Sequence, residues 1–220
     1  MRVLVAGSRG GVGRILIDRL VARGHEVAGM VRSDEQRTEV ERAGAKAVLA
    51  DLTQEDTLAA AAAGQDALIF AAGSKGKALD AIDRDGAIRL YDAAKKAGAR
   101  RFVLLSSFYA GHPDEGPGKI RAYLQAKKQA DDCLEASGLD YTIVRPGYLT
   151  NDDESGHITV SEYFDDLNAS ISRADVAEVL ATALDAPGTI GRTFEVRSGS
   201  TPIRYALEDL GPQSSERSGR

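Results

Sequence analysis

The sequence predicts a doubly wound α/β fold, a mostly parallel sheet with helices on both faces. Short apolar runs alternate with helical stretches along nearly the whole chain. Within those runs polar and apolar residues do not alternate, as befits strands buried on both faces. Gly24, Gly44, Gly64, Gly98 and Gly138 each follow a helical stretch, where a left-handed residue ends a helix most easily.

Strands are expected at 2–6, 26–31, 47–50, 67–71, 102–106, 141–144 and 193–196, and helices at 11–23, 35–43, 54–62, 80–97, 120–137 and 173–186. The first strand runs into a glycine-rich turn that opens the first helix. The second ends on Arg32 and Ser33. The alanine run at 59–63 belongs to the third helix. The fifth strand, "RRFVLLSS", ends on Ser106 and Ser107, and the helix after it carries Tyr123, Lys127 and Cys133. Ser172 precedes Arg173, Ala174 and Asp175, a side-chain cap with an acid in the first turn. The irregular segments 74–79, 110–118 and 148–170 follow the fourth, fifth and sixth strands. That is the carboxyl edge, where doubly wound sheets bind ligands. Residues 1–210 are read as one domain, with 148–170 as a small lid near the substrate pocket. The polar Gly/Ser-rich stretch 211–220 is expected to be a disordered tail.

The chain has 220 residues, of which 43% are hydrophobic and 28% charged, as in an ordinary globular protein. A net charge of -5 without any basic stripe argues against a nucleic-acid partner. No apolar run reaches bilayer length and no signal-peptide pattern opens the chain, so the expectation is a cytoplasmic protein with no membrane partner. The single cysteine, Cys133, excludes an internal disulfide and is expected to be a buried helix thiol. Monomer and homodimer are both left open.

The turn after the first strand has the context of a dinucleotide fingerprint. Gly7 would allow the tight turn, Gly10 the approach of a pyrophosphate, and Gly13 close packing of helix on strand. The helix N-terminus adds free amides and a positive dipole end. The expected phosphate cradle is Gly7, Ser8, Arg9, Gly10, Gly11, Val12 and Gly13. Cofactor choice is read at the end of the second strand. An acid there would hold a ribose diol, whereas Arg32 can pair with a 2′-phosphate, with Arg9 bracketing it from the turn. NADP is therefore favoured over NAD; the alternative is that Arg32 is solvated and Asp34 takes the diol. Asp51 and Leu52 are placed to flank the adenine, and Ala71, Ala72 and Gly73 to offer backbone beside the ribose.

Tyr123 and Lys127 lie four apart on a helical pattern, hence on one face. An ammonium there would lower the tyrosine's pKa and hold a ribose hydroxyl. The tyrosine would exchange a proton with a substrate oxygen, which a strand-end serine polarises. The three histidines, His25, His112 and His157, lack partners at metal-ligand spacing, and the acidic cluster Asp152, Asp153 and Glu154 reads as a solvated loop. No metal is expected.

Taken together, "VLVAGSRGGVG", "VRS", "AAG", "AGARRFVLLSS", "YLQAK", "LDYTIVRPGYLT" and "ISRADVAEVL" resemble the short-chain dehydrogenase/reductase superfamily. The resemblance is to its atypical NAD(P)-binding Rossmann branch, close to the NmrA-like and biliverdin/flavin-reductase-like proteins. It implies that Gly7, Gly10 and Gly13 bind pyrophosphate, Arg32 and Ser33 the phosphorylated ribose, and Pro146, Gly147 and Tyr148 the nicotinamide carboxamide. Ser107, Tyr123 and Lys127 would be the catalytic set, with Lys127 also orienting the ribose and Ser106 the lesser serine. Asp83 stands where the superfamily usually has an asparagine. The implied activity is NADP-dependent hydride transfer to or from a small carbonyl, alcohol or sugar-like substrate. Alternatives are an NADP(H) sensor without turnover, a flavin or quinone reductase, and an epimerase or dehydratase, which usually has a larger C-terminal subdomain.

Overall fold

The computed structural model describes residues 1–74, 76–166 and 168–211. In chain order the elements are β1 (Arg2–Ala6), α1 (Gly11–Ala22), β2 (Glu26–Val31), α2 (Arg37–Arg42), β3 (Lys46–Leu49), α3 (Glu55–Ala62), β4 (Ala67–Phe70), α4 (Asp85–Lys96), β5 (Arg101–Leu105), α5 (Arg121–Glu135) and β6 (Asp140–Pro146). They continue as β7 (Tyr148–Thr150), β8 (His157–Ser161), β9 (Ser170–Ser172), α6 (Arg173–Asp185), β10 (Arg192–Ser198), β11 (Thr201–Pro202) and α7 (Ile203–Glu208).

The main sheet has the order β11-β8-β10-β6-β5-β4-β1-β2-β3. From β3 to β10 every pairing is parallel, with Val5 opposite both Gly29 and Ile69, and Leu104 opposite Ile143. Successive residues of β1 serve two cores. Val3 and Val5 pack with α1 and α6, while Leu4 and Ala6 pack with α3 and α4. Both faces are covered, which is why the strands read as unbroken apolar runs. Chain order reverses where β1 lies between β2 and β4, so a crevice opens at the carboxyl ends of β1 and β4.

The helix-ending glycines Gly24, Gly44, Gly64, Gly98 and Gly138 all have φ between 73° and 82°. Ser172 caps α6 as expected, its Oγ accepting from the Asp175 amide at 3.0 Å.

Several elements depart from the sequence reading. Residues 148–170 are not an irregular lid throughout. They contain β7, which pairs with β9, and β8, which extends the main sheet antiparallel to β10. In "HITVS" polar residues flank the apolar ones, so its strand character depends on a partner almost forty residues away. The helix expected at 80–97 begins as a wider turn at Leu79–Arg84, and the regular helix starts at Asp85. In that turn Asp83 is buried and reaches the Ser74 amide and hydroxyl. Cys133 is exposed on α5, and its thiol lies against the buried Tyr91. Of the tail 211–220, all but Gly211 lies outside the described residues. Among the described residues no helix is long and apolar enough to cross a membrane, and no cluster of metal ligands occurs.

Candidate functional site

The glycine turn lies at the switch point. Gly7 has φ +83°, and a Cβ on it would sit 2.6 Å from the Ala71 backbone. The turn therefore presses against the end of β4 with no room for a side chain. Gly10 N donates to the Gly7 carbonyl at 2.8 Å, and a Cβ on Gly13 would fall 2.0 Å from that same oxygen. The buried Ser8 hydroxyl donates to the Met30 carbonyl at 2.5 Å, fastening the turn to β2.

These contacts frame an open cleft of about 510 Å³. Gly7, Ser8, Arg9 and Gly10 line one side; Arg32, Leu52, Ala71, Ala72 and Gly73 line the others. Five of the residues expected around the phosphates and the adenosine lie off its wall. Gly11 is exposed and faces Arg173, whose Cδ would be 2.8 Å from an added Cβ. Val12 is buried in the core, and Gly13 packs on the turn itself. Ser33 begins the short turn Asp34–Gln36. Asp51 turns back to accept from the Thr53 amide and hydroxyl at 2.8 and 2.6 Å, which holds its carboxyl below the usual range.

The cations around the cleft differ in commitment. Arg9 donates to Glu39 at 2.7 Å, and Arg14 shares that carboxylate at 3.3 Å. Arg37 pairs with Asp34 at 2.5 Å. The Arg32 guanidinium makes no hydrogen bond or ion pair among the described residues. Arg32 and Lys77, which lines the same cleft, are the cations left available for an anion among the described residues.

A second, apolar pocket of about 210 Å³ opens at the same edge of the sheet, off β5 and β6. Ser107 and Tyr123 contribute to its wall, as do Pro146, Gly147 and Tyr148. Phe108, Tyr109, Pro117, Ile120 and Leu149 complete it. Tyr123 does not have the lowered pKa expected from a neighbouring ammonium. Burial pushes it up to about 12, Asp83 adds to the rise, and the Ser107 hydroxyl opposes it. A phenol in this state holds its proton at neutral pH and can donate it.

Lys127 turns away from both cavities. It is 1% exposed, and its Nζ donates to the Leu105 carbonyl at 2.7 Å. It also lies 5.6 Å from the Phe70 ring centre, and it lines neither cavity. Desolvation pushes its pKa down against the opposing pull of Asp131 and Asp83. The side chain turns inward because a strand-end carbonyl and two carboxylates await it there. Asp83 likewise lines neither cavity; it secures the loop after β4 through Ser74.

Sequence reasoning missed four supporting residues. The fully buried Asp131 accepts from Ser106 Oγ and Arg145 Nε, each at 2.9 Å. It follows Lys127 by four on α5, a same-face spacing that was readable. Arg145 and Glu195 are charges inside apolar strands, which signals buried partners. Glu195 accepts from the Tyr109 amide at 3.2 Å and the Phe164 amide at 2.8 Å. Arg173 Nη1 donates to the Leu149 and Thr150 carbonyls at 3.1 and 2.9 Å, joining the pocket wall to the glycine turn.

Residues 7–187 match the family described as NAD(P)H-binding. Bacillus subtilis "uncharacterized sugar epimerase YhfK" is 42% identical over 96% of this chain and 100% of its own length. A solved Bacillus halodurans structure, named as a candidate NAD-dependent epimerase/dehydratase, superposes with TM-score 0.91 at 45% identity, covering 95% of this chain and 99% of its own. The Lactococcus lactis oxidoreductase ylbE superposes with TM-score 0.86 at 33% identity, covering 96% of each chain. With a glycine cradle at the switch point of a 3-2-1-4-5-6 parallel sheet, the chain belongs to the NAD(P)H-binding family, with the Rossmann fold of the atypical short-chain dehydrogenases/reductases.

Proposed function

We propose that the protein is an NADP(H)-dependent oxidoreductase that reduces a small carbonyl compound. The observation that carries this reading is that Ser107 and Tyr123, from different elements, share one pocket at the sheet edge that also bears the glycine cleft. The cleft residues fit a phosphorylated dinucleotide. The turn at Gly7 and Gly10 brings bare backbone to a helix start, where a pyrophosphate gains amide donors. Arg32 is free to take a 2′-phosphate, while Asp34, the residue that would favour a free diol, is paired with Arg37.

When bound, the reduced nicotinamide supplies the hydride. Ser107 donates a hydrogen bond to the substrate oxygen. Tyr123, protonated at neutral pH, gives that oxygen its proton. Lys127 takes no direct part, because its ammonium is turned onto the Leu105 carbonyl.

The test is a titration with NADPH and NADH. Removing the 2′-phosphate partner in Arg32→Ala is expected to weaken NADPH binding by about 10- to 100-fold and to leave NADH within about twofold. A wild-type preference for NADH would refute the NADP reading. NADPH oxidation with a panel of carbonyls then compares wild type with Tyr123→Phe, and undiminished turnover in the variant would refute the proton-donor role. A redox-sensing role is the second reading, favoured by the inward turn of Lys127. It is distinguished by tight NADPH binding without turnover of any carbonyl.

A further inference from the structure

We infer that the substrate is a small apolar ring carbonyl, such as an aromatic aldehyde or ketone, and not a sugar. This rests on the oxidoreductase reading above. None of the described residues lining the 210 Å³ pocket carries a charge, and their side-chain polar groups are the Ser107 hydroxyl and three phenols, those of Tyr109, Tyr123 and Tyr148. One carbonyl oxygen matches the Ser107 and Tyr123 pair. A pyranose brings several further hydroxyls, and each one buried without a partner lowers affinity roughly tenfold or more. A sugar nucleotide adds a diphosphate, for which this wall offers no cation.

Size and rigidity agree with this. An apolar cavity of about 150 Å³ takes up a benzene ring, so 210 Å³ limits the substrate to one small ring beside the nicotinamide edge that Pro146, Gly147 and Tyr148 would face. The wall is set before any ligand arrives. Phe108 stacks on Phe164 with ring centres 5.6 Å apart and planes 19° apart. Tyr109 sits at φ +61°, a conformation rare outside glycine, with its amide held by the buried Glu195 carboxylate. The same carboxylate holds the Phe164 amide, so one side chain of β10 fixes both supports of the aromatic wall. Tyr148, 53% exposed, presents a further ring at the mouth.

The balanced reaction reduces the aldehyde or ketone to an alcohol. The carbonyl carbon gains hydride from the reduced nicotinamide dinucleotide, which is oxidised, and the oxygen gains the Tyr123 proton. Water then reprotonates the phenolate.

Three probes test this on the full chain: benzaldehyde, glyceraldehyde and UDP-glucose. In calorimetry on the NADP⁺-loaded protein, benzaldehyde is expected to bind at least about tenfold more tightly than UDP-glucose. In NADPH oxidation its kcat/KM is expected to exceed that of glyceraldehyde by about tenfold or more. Ile120→Glu, which puts a charge into the wall, is expected to lower benzaldehyde affinity about tenfold while NADPH Kd stays within about twofold. If that variant does not fold, Ile120→Thr is expected to show a loss of about threefold. Tighter binding of UDP-glucose, a glyceraldehyde preference, or unchanged benzaldehyde affinity in the Ile120 variant would overturn the inference. Failure of the wild type to bind NADPH would instead overturn the oxidoreductase reading beneath it.

Discussion

Replacing Lys127 by methionine separates a buried structural cation from a ribose-holding one. The ammonium is 1% exposed and donates to the Leu105 carbonyl at 2.7 Å. Asp131, fully buried, is one of its electrostatic partners, and Asp131 Oδ1 has no hydrogen-bond partner among the described residues. Breaking such a buried charge set by removing one member costs about 3–5 kcal/mol. Arg145 remains on Asp131 Oδ2 at 2.9 Å, so the low end, about 3 kcal/mol, is expected. For a chain of this size that lowers Tm by about 6–12 °C. Because Lys127 lines neither cavity, NADPH Kd is expected to stay within about twofold. Thermal unfolding followed by circular dichroism, with NADPH fluorescence titration, reads both quantities. Adding Asp131→Asn to the Lys127→Met chain should recover part of the loss, a coupling of about 1–3 kcal/mol in a double-mutant cycle. An unchanged Tm together with a tenfold or greater loss of NADPH affinity would refute the structural reading and restore the ribose contact.

Burial pushes Tyr123 up to about 12, so the proton-bearing form persists through neutral and mildly alkaline pH. Carbonyl reduction should therefore be flat to about pH 9 on the alkaline side; a limb near pH 8 that vanishes in Tyr123→Phe would contradict this. Gly13→Ala places a Cβ 2.0 Å from the Gly7 carbonyl. The helix-propensity gain of about 1 kcal/mol is outweighed by strain of about 1–3 kcal/mol, and NADPH affinity should fall about tenfold as the turn opens. Calorimetric Tm and an NADPH titration check both effects. Asp66 is held at about 2 by Arg2 and its backbone amide. Its contribution is present above the ordinary carboxylate pKa and is lost as pH falls through about 2. An NMR titration of the Asp66 carboxyl carbon near its ordinary value would contradict the pairing.

Much of the fold is legible because it is written in local periodicity. The central strands β1, β4 and β5 of the 3-2-1-4-5-6 core are buried on both faces, so they are apolar almost throughout, and glycine marks the end of each intervening helix. β8 and β11 escape that reading. They are short and of mixed polarity, and they exist through pairing with β10 and with each other. The wide turn before α4 escapes it too, because its cause is the reach of Asp83 to Ser74, a tertiary contact.

The candidate site divides in the same way. That the chain has a glycine cradle, an arginine after β2, and a serine and tyrosine at adjacent carboxyl-edge positions follows from sequence alone, because each depends on spacing along one element or on its place after a strand. Which of them meet was decided in three dimensions. Ser107 and Tyr123 share an apolar pocket, whereas Lys127, on the same helix face as Tyr123 by spacing, turns into the interior. A period of 3.6 residues sets the direction of a side chain's root but not where its flexible end settles. For Lys127 that end is drawn to the Leu105 carbonyl, with Asp131 beside it, because a buried ammonium must be paired. Arg32 and Arg9 show the same division: the sequence places both near the cleft, and the fold brings Glu39 to only one of them.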